Sequence, residues 1–163
     1  MSLEKLKRQS ISLIIMEKKI FISCPFNKFL VNNKFVDLLF REFTEDLFKI
    51  CSQYTPNVFL ALKRENYGAT PMPNYSCLRD FEEMKNTDLV IAIPEDSLGA
   101  AVELGWASAM RKDVILILKI GQNYSPLITN LPKITTGEII WYEEDLSSIL
   151  PVVRKKISNI LNH

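Results

Sequence analysis

From Leu98 to Met110 the chain reads LGAAVELGWASAM, an apolar run of small residues with one carboxylate, Glu103, at its middle. On a helix, Gly99 and Ala100 lie one turn before Glu103, and Trp106 and Ala107 one turn after it. Ser108 is the only other polar side chain of the segment. A helix apolar on all sides is a buried one, so Glu103 is expected to be enclosed or to face a cavity. A glutamate on a helix is ordinarily a solvated surface residue, but these neighbours argue against that here. Burying an unpaired carboxylate is costly or raises its pKa, and an active site is the commonest reason for tolerating it.

Two further residues fall into place around Glu103. Ser97 stands where an N-cap is expected, and its hydroxyl with the first free amides of the helix would favour an anion. Asp80, in CLRDFEEM, lies on the preceding helix, and Arg79, Glu82 and Glu83 beside it read as solvated. The one histidine is His163, the last residue. That removes Ser-His-Asp and Cys-His systems and nearly every common transition-metal site. The chemistry left is that of carboxylates, hydroxyls and backbone donors, with no metal.

These residues need a frame. Strand and helix signals alternate: KKIFIS (Lys18 to Ser23) is a first strand, and Asn33 to Tyr54 carries Phe35, Leu38, Leu39, Phe43, Leu47 and Cys51 at helical spacing. NVFLALK (Asn57 to Lys63) reads as a strand, and a polar loop from Arg64 to Tyr75 leads to a helix over Ser76 to Asn86. DLVIAI (Asp88 to Ile93) and DVILIL (Asp113 to Leu118) are continuous apolar strands, buried on both faces as parallel strands are. EIIWY (Glu138 to Tyr142) makes a shorter fifth strand, and a closing helix spans Asp145 to Leu161. The fold expected is α/β and Rossmann-like: an open parallel sheet of about five strands in flavodoxin-like order, with helices on both faces. In such sheets ligands sit where the strand order reverses, between SCPFNKF (Ser23 to Phe29) and PEDSLG (Pro94 to Gly99).

Composition sets the outer limits. At 163 residues, 47% hydrophobic and 24% charged, the chain makes one globular domain; residues 1–17 read as an N-terminal extension and 18–163 as the single domain. A net charge of +1 and the lack of a basic face argue against a nucleic-acid partner. No apolar run approaches the roughly 20 residues that span a bilayer. Cys24, Cys51 and Cys77 are odd in number and widely spaced, so they read as reduced thiols, and the location expected is cytoplasmic.

Asp80, the strand DLVIAI and the run SxGxxxELGxA from Ser97 to Ala107 resemble the nucleoside 2-deoxyribosyltransferase superfamily. The closer likeness is to its nucleoside 5'-monophosphate N-glycosidase branch, and it extends over roughly Lys18 to Tyr142. The resemblance implies that Glu103 is the nucleophile at the sugar's anomeric carbon and that the reaction retains configuration through a glycosyl ester. It implies that Asp80 positions the base or the reacting groups and assists proton transfer, with no cofactor.

Within that resemblance Ser97 separates two branches. Similar deoxyribosyltransferases carry an acid at this place, holding a neutral 5'-hydroxyl. A carboxylate there would repel a 5'-phosphate by about 4 kcal/mol at 4 Å and an effective dielectric of 20, whereas Ser97 and the helix-start amides welcome one; neighbouring Asp96 must then point away. Gly99 is part of the same helix start. YSPLI (Tyr124 to Ile128) resembles the segment by which a neighbouring subunit lends a serine to the phosphate, which implies Ser125 acting in trans within a homodimer or higher homo-oligomer. SCPFNKF lacks the glycine-rich phosphate loop of some relatives.

Phe21 aligns with a tyrosine of deoxynucleotide-cleaving relatives, which leaves room near C2' for a ribonucleotide such as CMP; from sequence alone it reads equally as core. Phe26 could stack on the base, and Arg64, Tyr67 and Tyr75 could close over it, whereas Trp106 reads as packing. The expected partner is thus a small-molecule nucleotide. Three other readings stay open: a base-exchange transferase with the same nucleophile, a TIR-like NAD-cleaving or signalling domain, and a non-enzymatic module of the same architecture. No GxGxxG or Walker A run occurs.

Overall fold

Parallel strands buried on both faces need unbroken apolar runs, and the chain supplies them at Leu89 to Ala92 and Val114 to Leu118, where every residue is fully buried. The computed structural model describes residues 17–32, 34–70 and 76–161. Residues 1–16 of the expected extension, Tyr75 and His163 lie outside the described residues. In chain order the elements begin with β1 (Lys19–Ser23), the short β2 (Leu30–Val31) and β3 (Lys34–Phe35), α1 (Leu38–Ser52), β4 (Asn57–Leu60) and α2 (Ala61–Arg64). There follow α3 (Ser76–Lys85), β5 (Leu89–Ala92), α4 (Leu98–Ala109), β6 (Asp113–Lys119), α5 (Pro126–Thr129), β7 (Gly137–Tyr142) and α6 (Leu150–Leu161).

The five long strands form one parallel sheet in the order β4-β1-β5-β6-β7. Counted along the chain this is 2-1-3-4-5, the flavodoxin-like order, and it reverses between β1 and β5. One face of the sheet, with Ile20, Ile22 and Ile91, packs on Phe43 and Leu47 of α1 and on Val153 and Ile157 of α6. The other, with Phe21, Val90 and Ala92, packs on Met84 of α3 and on Leu104 and Ala107 of α4. The two faces follow from the alternation of side chains along β1 and β5.

Two boundaries differ from the sequence expectation. The first helix begins at Leu38, not Asn33, because Asp37 caps it by accepting from Phe40 N, and Leu30–Val31 pairs antiparallel with Lys34–Phe35 ahead of it. Its buried stripe is Phe40, Phe43, Leu47 and Cys51, while Leu38 and Leu39 face outward. The second strand ends at Leu60, because β4 is an edge strand whose partner β1 pairs with it over four residues only. Beyond that register the backbone satisfies itself by turning into α2.

Candidate active site

The strand ends at the reversal point carry the site. The carbonyl of Ser23, the last residue of β1, accepts from Ile93 N at 2.8 Å, which ties the end of β1 to the end of β5. Ser23 shares a face with Phe21 two residues below it, and its hydroxyl donates to Glu103 Oε2 on α4. Ser97 caps α4, accepting from Ala100 N at 3.2 Å, so the helix starts at the mouth of the same crevice. From α3, on the opposite wall, comes Asp80, which accepts from Arg64 Nη1 at 2.5 Å. Arg64 in turn donates through Nε to Glu65 Oε1 at 3.0 Å.

Beside these groups opens a cavity of about 670 Å³, with Phe26, Glu65, Asp80, Ser97, Gly99 and Glu103 on its wall. Glu103 is half-buried, and desolvation raises its pKa to about 7. The Ser23 hydrogen bond opposes that rise, the charge of Asp80 adds to it, and Arg64 again lowers it. A carboxylate poised near neutrality, oriented by a hydroxyl and facing a cavity, suits nucleophilic or proton-transfer work. Cys24, beside it, is pushed well above the ordinary thiol range, first by burial and then by Glu103; it is a poor nucleophile. Among the described residues, no group of three His, Cys, Asp or Glu side chains converges to hold a metal.

Of the residues read from sequence, the fold brings Glu103, Asp80, Ser97, Gly99 and Phe26 to this one cavity. Phe21 it does not. Phe21 is fully buried in the core beneath the cavity, 4.9 Å from the ring of Phe59, because the pleat turns it into the layer under α4. Ser125 is exposed and caps α5, accepting from Leu127 N at 3.3 Å, and it does not line the cavity of its own chain. Tyr67 turns away from the cavity too: its ring packs against Phe35 and under Arg41, and its hydroxyl donates to Glu45.

The expectation that the Glu103 helix is apolar all round because it is enclosed needs correcting. Only Ala100, Leu104 and Ala107 of α4 are buried. Leu98 is 88% and Val102 51% exposed, with Ala101, Gly105 and Ala109 on the same open side. The sheet offers one face to α4, and among the described residues the other side of the helix stays open. Glu103 is shielded by the cavity wall and not by a surrounding core.

Three residues of the site escape a reading by sequence. Ser23 had a usable signal, a small hydroxyl at the carboxyl end of the first strand, where the strand order reverses. Lys28 lines the cavity as its cation and also pairs with Glu95 Oε2 at 2.8 Å. Glu65 is a carboxylate in a polar loop, and nothing in its neighbours distinguishes it from a solvated one. Asp96, exposed and left-handed at φ 45°, lines the cavity beside Ser97 as well.

No protein-family model matches the chain, and no curated protein matches it. Solved structures do. The CMP N-glycosidase BcmB of Clostridium botulinum matches with a TM-score of 0.60 at 25% identity, over 87% of this chain and 98% of that one. BlsM, in its solution structure, matches with a TM-score of 0.68 at 29% identity, over 91% of this chain and 94% of that one.

Proposed function

We propose that this chain, an N-glycosidase-type enzyme of the nucleoside 2-deoxyribosyltransferase-like group, hydrolyses the N-glycosidic bond of a nucleoside 5'-monophosphate. The substrate is a pyrimidine ribonucleotide such as CMP, and free base and ribose 5-phosphate are the products. The observation that carries this reading is the Ser23–Glu103 pair at a cavity shared with Asp80 and with the Ser97-capped start of α4. In the first step Glu103 attacks C1', a C1'–oxygen ester forms, and the electron pair of the broken bond leaves on the base nitrogen. In the second, water attacks C1', the ester opens and the carboxylate is regained. The proton that water loses balances the one the departing base takes up, and Asp80 is the group for relaying it.

The phosphate end draws on Ser97, the first amides of α4 and Lys28. Asp96 opposes it and Lys28 offsets it. Phe26, half-buried on the same wall, is a platform for the base. Position 21 carries no hydroxyl and lies in the core outside the cavity wall, so it adds no contact to the sugar. The open apolar side of α4 supports assembly into a homodimer or higher homo-oligomer, with Ser125 reaching the phosphate of a neighbouring site. Among the described residues no helix is long and apolar enough to cross a membrane, and the reduced cysteines favour the cytoplasm.

A panel of nucleoside monophosphates, with free base followed by chromatography, tests the reading. CMP is expected to release cytosine, and Glu103→Ala is expected to keep the fold and lose turnover by at least 1,000-fold, roughly the weight of an essential nucleophile. Unchanged turnover in that variant removes Glu103 from the mechanism. A marked preference for dCMP over CMP overturns the ribose assignment. Supplying a second nucleobase separates hydrolysis from base exchange, because only a transferase returns a new nucleotide.

A further inference from the structure

Arg64, the last residue of α2, is not on the cavity wall, but both of its ion-pair partners are. Its Nη1 donates to Asp80 Oδ1 at 2.5 Å, while Nε and Nη2 both donate to Glu65 Oε1. The side chains of Arg64 and Asp80 are each 14% exposed. The guanidinium also lies over the ring of Phe59, 5.3 Å from its centroid. Three of its nitrogens are therefore committed within the protein, and Arg64 reaches the site only through Asp80 and Glu65.

The chain around it is built to hold that fork still. Glu65 N donates to Ala61 O, and the Glu65 carbonyl accepts from Gly68 N and Thr70 N. The next two residues, Asn66 and Tyr67, are left-handed at φ 45° and 53°. Such strain persists only where the surroundings over-determine it. Here the Tyr67 ring meets Phe35 and Arg41, and its hydroxyl donates to Glu45. A buried ion cluster rarely adds stability over apolar packing. A strained turn and a buried ion cluster that meet at one cavity wall point to function instead.

The two acids of the cavity supply the need. Asp80 and Glu103 line the same space, and two like charges close together disfavour the ionised form of each other. The charge of Asp80 raises the Glu103 pKa, and the charge of Arg64 lowers it. The other charged or titratable groups about Glu103 are Cys24 after β1 and, on the cavity wall, Lys28, Glu65 and Asp96.

We propose that Arg64 is a positioning residue for the reaction: it fixes the orientation of Asp80 and offsets its charge, so that two carboxylates share one cavity with Glu103 free to act as the nucleophile. The proposal rests on the nucleotide N-glycosidase reading and adds to it a residue that touches neither base, sugar nor phosphate.

The test follows kcat/KM and kcat for CMP against pH in the wild type, Arg64→Met and Arg64→Lys. Lysine keeps the charge without the planar fork, and methionine keeps neither. Both variants are expected to lower the plateau kcat about tenfold by loosening Asp80, with KM within about threefold. Only Arg64→Met is expected to move the acid limb, by about one pH unit upward, since only there does the charge of Asp80 act on Glu103 unopposed. A role confined to propping the fold predicts an unmoved limb in both, which overturns the proposal. A limb that moves as far in Arg64→Lys overturns it too, as does a rise in KM large enough to account for the loss.

Carbon-13 titration of the Glu103 carboxyl in the protein alone, assigned through Glu103→Gln, reads the charge effect without turnover. The Glu103 midpoint is expected to fall in Asp80→Asn and to return to within about 0.3 pH unit of the wild type in Arg64→Met/Asp80→Asn, where both charges are gone. A double variant that titrates like Asp80→Asn overturns the proposal, and this pair decides it where Arg64→Met alone fails to fold. Should CMP not be cleaved, the hydrolase reading falls, and the same titrations still decide what Arg64 does to the two acids.

Discussion

Glu103 is the residue on which pH should act most visibly. Its pKa of about 7 in the folded chain lies above the 4.5 of an ordinary glutamate. The nucleophile proposed for this reaction must be ionised, so kcat/KM is expected to rise with pH through about 7. Ser23→Ala removes the donor that favours the ionised form. The limb should then move to higher pH, and the rate at neutrality should fall roughly tenfold, the weight of one hydrogen bond to a charged group. A pH–rate profile that does not move would show that the bond has no part in ionisation. The same shift sets stability. Between pH 4.5 and about 7 the folded chain keeps a proton the unfolded chain has lost, so stability falls across that window and stays lower above it. Glu103→Gln, which carries no charge, is therefore expected to be more stable than the wild type by up to ~3 kcal/mol at pH 8 and not at pH 4. Urea titrations at the two pH values measure the difference.

At the level of the element, the capped start of α4 is also part of the cavity wall. Ser97 accepts from Ala100 N at 3.2 Å, and the same helix start faces the cavity. Ser97→Ala should cost ~1 kcal/mol of stability as a lost cap. It should also raise KM for CMP while leaving KM for cytidine, which has no phosphate, nearly unchanged. Thermal melts and paired kinetics separate the two effects, and a parallel change in both KM values would assign Ser97 to capping alone. The elements themselves were largely legible: alternating runs and continuous apolar strands fixed the sheet class. Their ends were less so. Asp37 as the cap of α1 and the turn of the chain into α2 after Leu60 depend on which backbone groups find partners, and that is decided by neighbours far along the chain.

The whole molecule leaves α4 with a bare outer stripe: Leu98, Ala101, Val102, Gly105 and Ala109 stand open in one chain. Ser125, exposed on its own short helix, is free to serve a neighbouring copy. If it does, mixing inactive Glu103→Ala with impaired Ser125→Ala chains should restore activity. Each mixed dimer then holds one site with Glu103 from one chain and Ser125 from the other. Assays after co-refolding, with the oligomer followed by sedimentation, measure this. Activity that only averages the two parents would place Ser125 outside the reacting site.

The sequence by itself determined the fold class and singled out Glu103, Asp80 and Ser97 as candidates, because periodicity, strand composition, an out-of-place acid and a family resemblance are legible along the chain. Ser97 before an apolar helix and Asp80 on the helix before β5 needed no coordinates. Only the tertiary structure decided which side chains share the cavity. It turned Phe21 into the core and Tyr67 toward Glu45, and it set Ser23 against Glu103 across eighty residues of chain. It also left one oxygen of Glu65 without a partner. A pleat sends neighbouring residues to opposite faces, and burial depends on what packs there, so no local pattern could have chosen among them.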